Sequence, residues 1–206
     1  MDIEIRPAAP DDVDAAAPLI YSSGPHEFDY GFATRGHRAT DWTRAAFIGR
    51  TTTESHRAFH VALVGGRVVG IGSFLGGAAF DTANALRFAW EVARFFGPLE
   101  CPGVLRRTLR LMDLMPAPGA DALFIRYVGV SEGMRGQGLG TVLLEEQLRM
   151  AREAGFRRAV LDVAVTNSRA QLLYERLGFR VTGERSLKTR GSAMDVPQQR
   201  RMELLL

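Results

Sequence analysis

The spacing of apolar positions along the chain switches between a two-residue and a helical period, and the switches divide it into elements. Residues 3–8 alternate apolar and polar side chains like a half-buried strand, and Asp11 and Asp12 then offer an N-cap to a helix over residues 13–21. Residues 22–40 are rich in Gly, His and aromatics and read as loop, and residues 41–49 read as a second short helix. Two β-branched runs around Gly65 and Gly66 predict a hairpin over residues 60–74. Behind an Asp81 cap, Leu86, Ala89, Ala93 and Phe96 fall at helical spacing. Residues 104–114 repeat that pattern, with Leu105, Leu109 and Met112 on one face and Arg106, Arg107 and Arg110 off it, until Pro116 and Pro118 end the helix. The second half is more regular. An apolar strand over residues 123–130 leads through a glycine cluster into a helix over residues 140–154, stopped by Gly155. A strand over residues 158–165 follows, parallel to the previous one because a helix crosses over between them. Asn167 caps a last helix that Gly178 closes, and residues 180–186 and 199–206 form a final strand pair. No internal repeat is visible.

Composition narrows this outline to a class. With 206 residues, 46% hydrophobic and 24% charged, the chain is expected to form one domain over residues 1–206 of ordinary globular character. No apolar run approaches the roughly 20 residues of a spanning helix, so no membrane role is expected. The opening MDIEIRP carries acids where an export signal needs cations and an apolar run, and Cys101 is the only cysteine; both point to the cytoplasm. A net charge of +3 permits an anionic ligand, but no basic run with interleaved aromatics points to nucleic acid.

The glycine cluster carries the chemistry. Gly136, Gly138 and Gly140 fall within five positions between a strand and a helix. Helix N-termini present unpaired N–H groups and positive potential, and glycines let backbone approach an anion without Cβ collisions, so the cluster suits a phosphate-bearing ligand. Spacing excludes two such loops. Thr141 and Leu143 stand where a dinucleotide fingerprint needs its third glycine, and Gly138-Leu139 replaces the Gly-Lys of a P-loop. What remains, Arg135-Gly136-Gln137-Gly138-Leu139-Gly140, resembles the Gln/Arg-x-x-Gly-x-Gly/Ala loop of the GNAT superfamily of N-acetyltransferases. A second segment agrees. Asn167, Ala170, Leu173, Tyr174, Gly178 and Phe179 match the family's Asn-x-x-Ala-x-x-Leu-Tyr-x-x-x-Gly-Phe pattern, in the right order and at a suitable distance. The likeness is close over residues 123–184 and is to bacterial members of unassigned acceptor.

The resemblance implies an α/β fold of α+β type. Its centre would be a mixed, mostly antiparallel twisted sheet of six or seven strands, with helices on both faces and a splayed parallel pair. It implies acetyl-CoA as co-substrate, held in the gap between the splayed strands, and no metal. The backbone of Val128, Gly129 and Val130 would bond the pantetheine arm, and the N–H groups of Arg135, Gly136, Gln137, Gly138, Leu139, Gly140 and Thr141 would hold the pyrophosphate. Asn167 would contact the pantetheine near the acyl end. An amine, from a small molecule or a peptide, would attack the thioester directly in a ternary complex. Tyr174, pointing back toward the gap, is the expected proton donor to the departing thiolate, although its spacing also suits a core tyrosine. Asp162 matches the carboxylate of the Leu-Glu-Val strand in ribosomal-protein acetyltransferases of the superfamily and is the expected base, with a structural acceptor as its alternative. A non-catalytic acyl-CoA-binding sensor or structural module is the other functional reading.

Three features stand outside the match. His56 and His60 are four apart, but Arg57 replaces the glutamate of a zinc-protease helix, so no metal site is expected. HEFDYGF, residues 26–32, sits where family members line the acceptor pocket, and Glu27, Asp29 and its aromatics could hold a cationic amine or simply pack as a loop. A helical insertion at about residues 75–120 departs from a compact family member. If Leu105, Leu109 and Met112 bury against another chain, the protein is a homodimer.

Overall fold

Seven strands form one sheet in the computed structural model, which describes residues 2–187 and 196–206. β1 (Glu4–Pro7), β2 (Phe59–Val64), β3 (Arg67–Gly76), β4 (Ala122–Val130), β5 (Arg158–Ala164), β6 (Arg180–Arg185) and β7 (Gln199–Leu205) lie in the order β1-β2-β3-β4-β5-β7-β6. Every neighbouring pair is antiparallel except β4 and β5. The β2–β3 hairpin turns through Gly65 and Gly66, both at positive φ, as the sequence predicts.

Helices cover both faces. On one lie α1 (Val13–Ser22), α2 (Pro25–Phe32), α3 (Ala39–Ile48) and α4 (Thr82–Leu114), enclosing a core around Phe47, Phe59, Val61, Ile71, Val92 and Val104. On the other, α5 (Leu139–Glu153) and α6 (Ser168–Arg176) bury Leu143, Leu144, Leu161, Phe179 and Met202. No helix among the described residues is long and apolar enough to cross a membrane.

Three expectations are corrected. Residues 22–40 are not all loop: α2 forms within them, starting at Pro25 in the first turn, where its missing N–H costs nothing, and burying Phe28 and Phe32. The insertion forms the two helical stretches that its sequence predicts, joined end to end as α4 across a break at Gly97 (φ 68°, ψ 177°) with Pro98 opening the second half, but the face it buries differs from the expected one. Its buried side is set by Val92, Phe96, Val104 and Thr108, whereas Leu86, Leu109 and Met112 are more than half exposed. The second half is turned so that its arginines serve α2. Arg107 donates from Nε and Nη2 to the carbonyls of Gly31 and Ala33 at 3.3 and 3.2 Å, filling acceptors that the end of a helix leaves open. Arg110 reaches the Tyr30 hydroxyl, and Glu100 accepts from Thr34 and Gly36 in the segment that follows α2. Asp12, finally, caps nothing in α1; its carboxylate accepts from the Ala9 amide and from Arg6.

Candidate active site

The parallel pairing of β4 and β5 ends at Ile125 opposite Leu161, although β4 runs on to Val130 and β5 to Ala164. Beyond that point the β4 edge has no strand partner on its β5 side, and the two strands bound a gap. A bulge helps to open it. Ile71 and Ser73 of β3 face Gly129 and Arg126 of β4, so β4 holds one more residue than its partner there, and Tyr127 takes the positive φ (54°) this requires. The bulge sends the Tyr127 side chain to one core and Val128 to the other. Gly129 is pressed against α1, where an added Cβ would lie 2.3 Å from the Leu19 carbonyl oxygen.

The glycine loop joins the end of β4 to the N-terminus of α5. Gly136 and Gly138 both sit at φ near +84° (84° and 83°), and Gly138 is the residue that leads into α5, so the loop turns its amides toward the helix terminus. Side chains brace it from behind: Arg135 Nε donates to the Val130 carbonyl at 3.1 Å, and Gln137 Nε2 to that of Gly133 at 3.0 Å. Leu139, Gly140 and Thr141 form the first turn of α5. The two sequence motifs meet here, since a Cβ on Gly140 would lie 3.2 Å from Leu173 of α6. Arg169 of α6, which sequence reasoning missed, brings its guanidinium to the loop, 3.2 Å from where a Cβ on Gly136 would be.

Asn167 caps α6, its Oδ1 accepting from the Ala170 amide at 3.1 Å. Tyr174 is buried in the same core as Ile125, Val128, Leu161 and Val163, which flank the gap, and its ring lies 6.0 Å from that of Phe179. Burial alone pushes its phenol up to about 12, so it keeps its proton at neutral pH.

Asp162 lies on the opposite face of β5 from Leu161 and Val163, and both of its carboxylate oxygens are taken. Arg201 of β7, directly across the ladder, donates Nε to Oδ1 at 3.0 Å and Nη2 to Oδ2 at 2.6 Å. The pair is buried, with side chains 4% (Asp162) and 11% (Arg201) exposed. Burial pushes the Asp162 carboxyl up, and Arg201 opposes it. On the same face, Arg126 is clamped between Glu54 Oε1 at 2.9 Å and the Thr53 carbonyl at 3.0 Å, over the rings of Phe80 and Tyr127. His56 and His60 belong to different elements, with His56 packed against Phe47 and bonded to its carbonyl.

Over the open end of the gap lies α2. The Phe28 ring is 5.4 Å from that of Tyr127 on β4, while the adjacent Glu27 accepts from Gln199 Nε2 at 2.6 Å. Gln199 opens β7 and pairs with Ala164 at the end of β5. Asp29, two residues after Glu27, accepts from the Tyr21 hydroxyl at 3.0 Å.

Comparison with known proteins agrees with this geometry. Residues 26–179 match the model of the acetyltransferase (GNAT) family. The chain is 34% identical over 117 residues to the 5-NmdU N-acetyltransferase of Pseudomonas phage PaMx11, a match covering 55% of this chain and 79% of the relative. Among solved structures, an N-acetyltransferase from Staphylococcus aureus Mu50 superposes with a TM-score of 0.73 at 19% identity, covering 98% of this chain and all (100%) of that one. The yncA acetyltransferase of Salmonella typhimurium, solved with its cofactor acetyl-CoA, superposes with a TM-score of 0.58 at 19% identity, covering 100% of this chain and 95% of that one.

Proposed function

The chain belongs to the acetyltransferase (GNAT) family, and from that membership we propose how its residues divide the work of moving an acetyl group from acetyl-CoA to an amine. The observation that carries the reading is a strand gap flanked by a glycine loop at a helix N-terminus on one side and a buried, protonated tyrosine on the other. The open edge of β4 at Val128, Gly129 and Val130 bonds the pantetheine arm as an added strand would. The amides of Arg135, Gly136, Gln137, Gly138, Leu139, Gly140 and Thr141 hold the pyrophosphate, with Arg169 neutralising part of its charge. Asn167 contacts the pantetheine through the amide nitrogen that capping leaves over.

Chemistry proceeds by direct attack in a ternary complex. The amine lone pair adds to the thioester carbonyl carbon, the oxyanion is stabilised by N–H groups of the open β4 edge, and collapse breaks the C–S bond. Tyr174 hydrogen-bonds the departing sulfur. Asp162, which sequence reasoning offered as the base, is better read as half of a buried ion pair that fixes β7 against β5, because both of its oxygens accept from the Arg201 guanidinium, on the face of β5 away from Leu161 and Val163. The acceptor is an amine of a small molecule or peptide. The exposed apolar residues of α4, Leu86, Trp90, Leu99, Leu109 and Met112, favour self-association into a homodimer.

The cofactor half of this reading is tested by Gly138→Asp. Gly138 has open space but a positive φ, so any side chain strains the loop; Asp adds a carboxylate set against an anion at a helix N-terminus, and Gly138→Asp is expected to lose more acetyl-CoA affinity by calorimetric titration than Gly138→Asn, which carries the same strain without the charge. Unchanged affinity would remove the pyrophosphate from this loop.

A further inference from the structure

Glu27 is the carboxylate that the mechanism above leaves without a task. It is partly buried on α2, and among the described residues no cation is paired with it; its side-chain partner is the neutral amide of Gln199. Asp162 is paired with Arg201 and Glu54 with Arg126, whereas Asp29, like Glu27, has a neutral partner, the Tyr21 hydroxyl; of these two, Glu27 is the one joined to the β5–β7 side of the gap. A partly buried carboxylate with a neutral partner either takes up a proton or gains from a cation that comes to it.

Its placement is specific. Residues 27 and 28 straddle the open gap, Phe28 against Tyr127 on the β4 side and Glu27 against Gln199 on the β5–β7 side. Gln199 is itself buried, and its second amide hydrogen goes to the Pro197 carbonyl at 3.1 Å, which fixes the direction from which it holds Glu27. The insertion holds the helix from behind, through Arg107 on the Gly31 and Ala33 carbonyls and through Leu111 and Thr108 against Gly31. The Glu27 carboxylate is thus held beside the open end of the gap, Oε1 on Gln199 and Oε2 turned toward the start of α2, where an added Cβ on Gly24 would lie 2.8 Å from it.

We infer that Glu27 is the general base of the acetyl transfer, receiving a proton from the acceptor's ammonium group. The inference rests on the acetyl-transfer reading above. The ammonium loses one proton to a Glu27 oxygen, and the freed lone pair forms the C–N bond. Collapse breaks the C–S bond with its electron pair passing to sulfur, and a second nitrogen proton ends on that sulfur as the CoA thiol; Glu27 returns its own proton to solvent. Desolvation pushes the Glu27 carboxyl above the ordinary carboxylate range, with His26 on the same helix opposing it, which brings its basicity nearer to that of the amine it serves.

The test compares two small nucleophiles that enter any acceptor pocket: methylamine, a cation at neutral pH, and hydroxylamine, which is neutral there and needs no base before attack. In Glu27→Gln the ratio of methylamine to hydroxylamine acetylation falls about 10²-fold relative to the parent chain. In Glu27→Ala, added formate raises the methylamine rate and leaves the hydroxylamine rate where it was. A ratio within about threefold of the parent's, or equal loss of both rates in a variant that still binds acetyl-CoA, overturns the base role. Failure of the parent chain, with acetyl-CoA bound, to release thiol with these two nucleophiles and with every member of a panel of small-molecule and peptide amines overturns the acetyl-transfer reading itself, which separates the two failures.

Discussion

At the scale of single residues, a catalytic and a structural role predict opposite signatures for Tyr174 and Asp162. Tyr174 loses its water on folding and gains a raised pKa in return, so it serves as a hydrogen-bond donor to charge that develops on sulfur. Donors of that kind are worth about 10²- to 10³-fold in kcat. Tyr174→Phe keeps the ring packed against Phe179 and is expected to lower kcat by about 10²-fold, with acetyl-CoA affinity and melting temperature close to the parent's. An unaltered kcat would leave the tyrosine as core only. Asp162 gives the reverse. Asp162→Ala strands the buried Arg201 guanidinium, a loss of about 3–5 kcal/mol in urea unfolding, and the further change Arg201→Met recovers much of it. Recovery of stability with an unshifted pH profile of kcat/KM identifies the pair as structural. The positions of the glycine loop and of Asn167 were legible in the sequence because their spacing reflects backbone geometry local to two helix starts, and Tyr174 was legible as a residue on the buried stripe of α6. Glu27 was named from the sequence only as one of several acids in residues 26–32 that could hold a cationic amine, and its bond to Gln199, 172 positions away, needed the fold; Arg169 was missed, since it reaches the loop from a different helix.

At the scale of elements, the sequence pattern succeeds where a segment buries one face against the sheet and fails where several neighbours compete. The run from β4 through α5 and β5 to α6 was read nearly to the residue, since each helix presents one stripe to one sheet face and ends on a positive-φ glycine, Gly155 or Gly178. Eight-residue α2 is too short to be stable alone and contains Gly31, so its pattern gave no helical signal; the contacts of Phe28 and Phe32 and the Arg107 cap make it a helix. In α4 the apolar residues outnumber the buried positions, and the phase was misread because Thr108 and Arg107 face inward while Leu109 and Met112 do not. That excess of apolar surface bears on assembly. Sedimentation is expected to give a dimer that Trp90→Glu with Leu109→Glu turns into a folded monomer; a monomeric parent chain at high concentration would assign the same surface another use.

At the scale of the whole molecule, the sheet separates two tasks. In the proposed reading acetyl-CoA binds on the side of α5 and α6, whose loops and N-termini the sequence advertises, and the acceptor on the side of α1, α2 and α4. The splay would join the two sides at one place and let a nucleophile reach the thioester without an acyl-enzyme intermediate. The most direct measurement of that claim is an initial-rate matrix of CoA thiol release at varied acetyl-CoA and varied methylamine. Double-reciprocal lines that intersect, with one thiol released per N-acetylmethylamine formed, are the predicted result. Parallel lines, the pattern of an acyl-enzyme formed before the amine binds, would contradict direct transfer in a ternary complex.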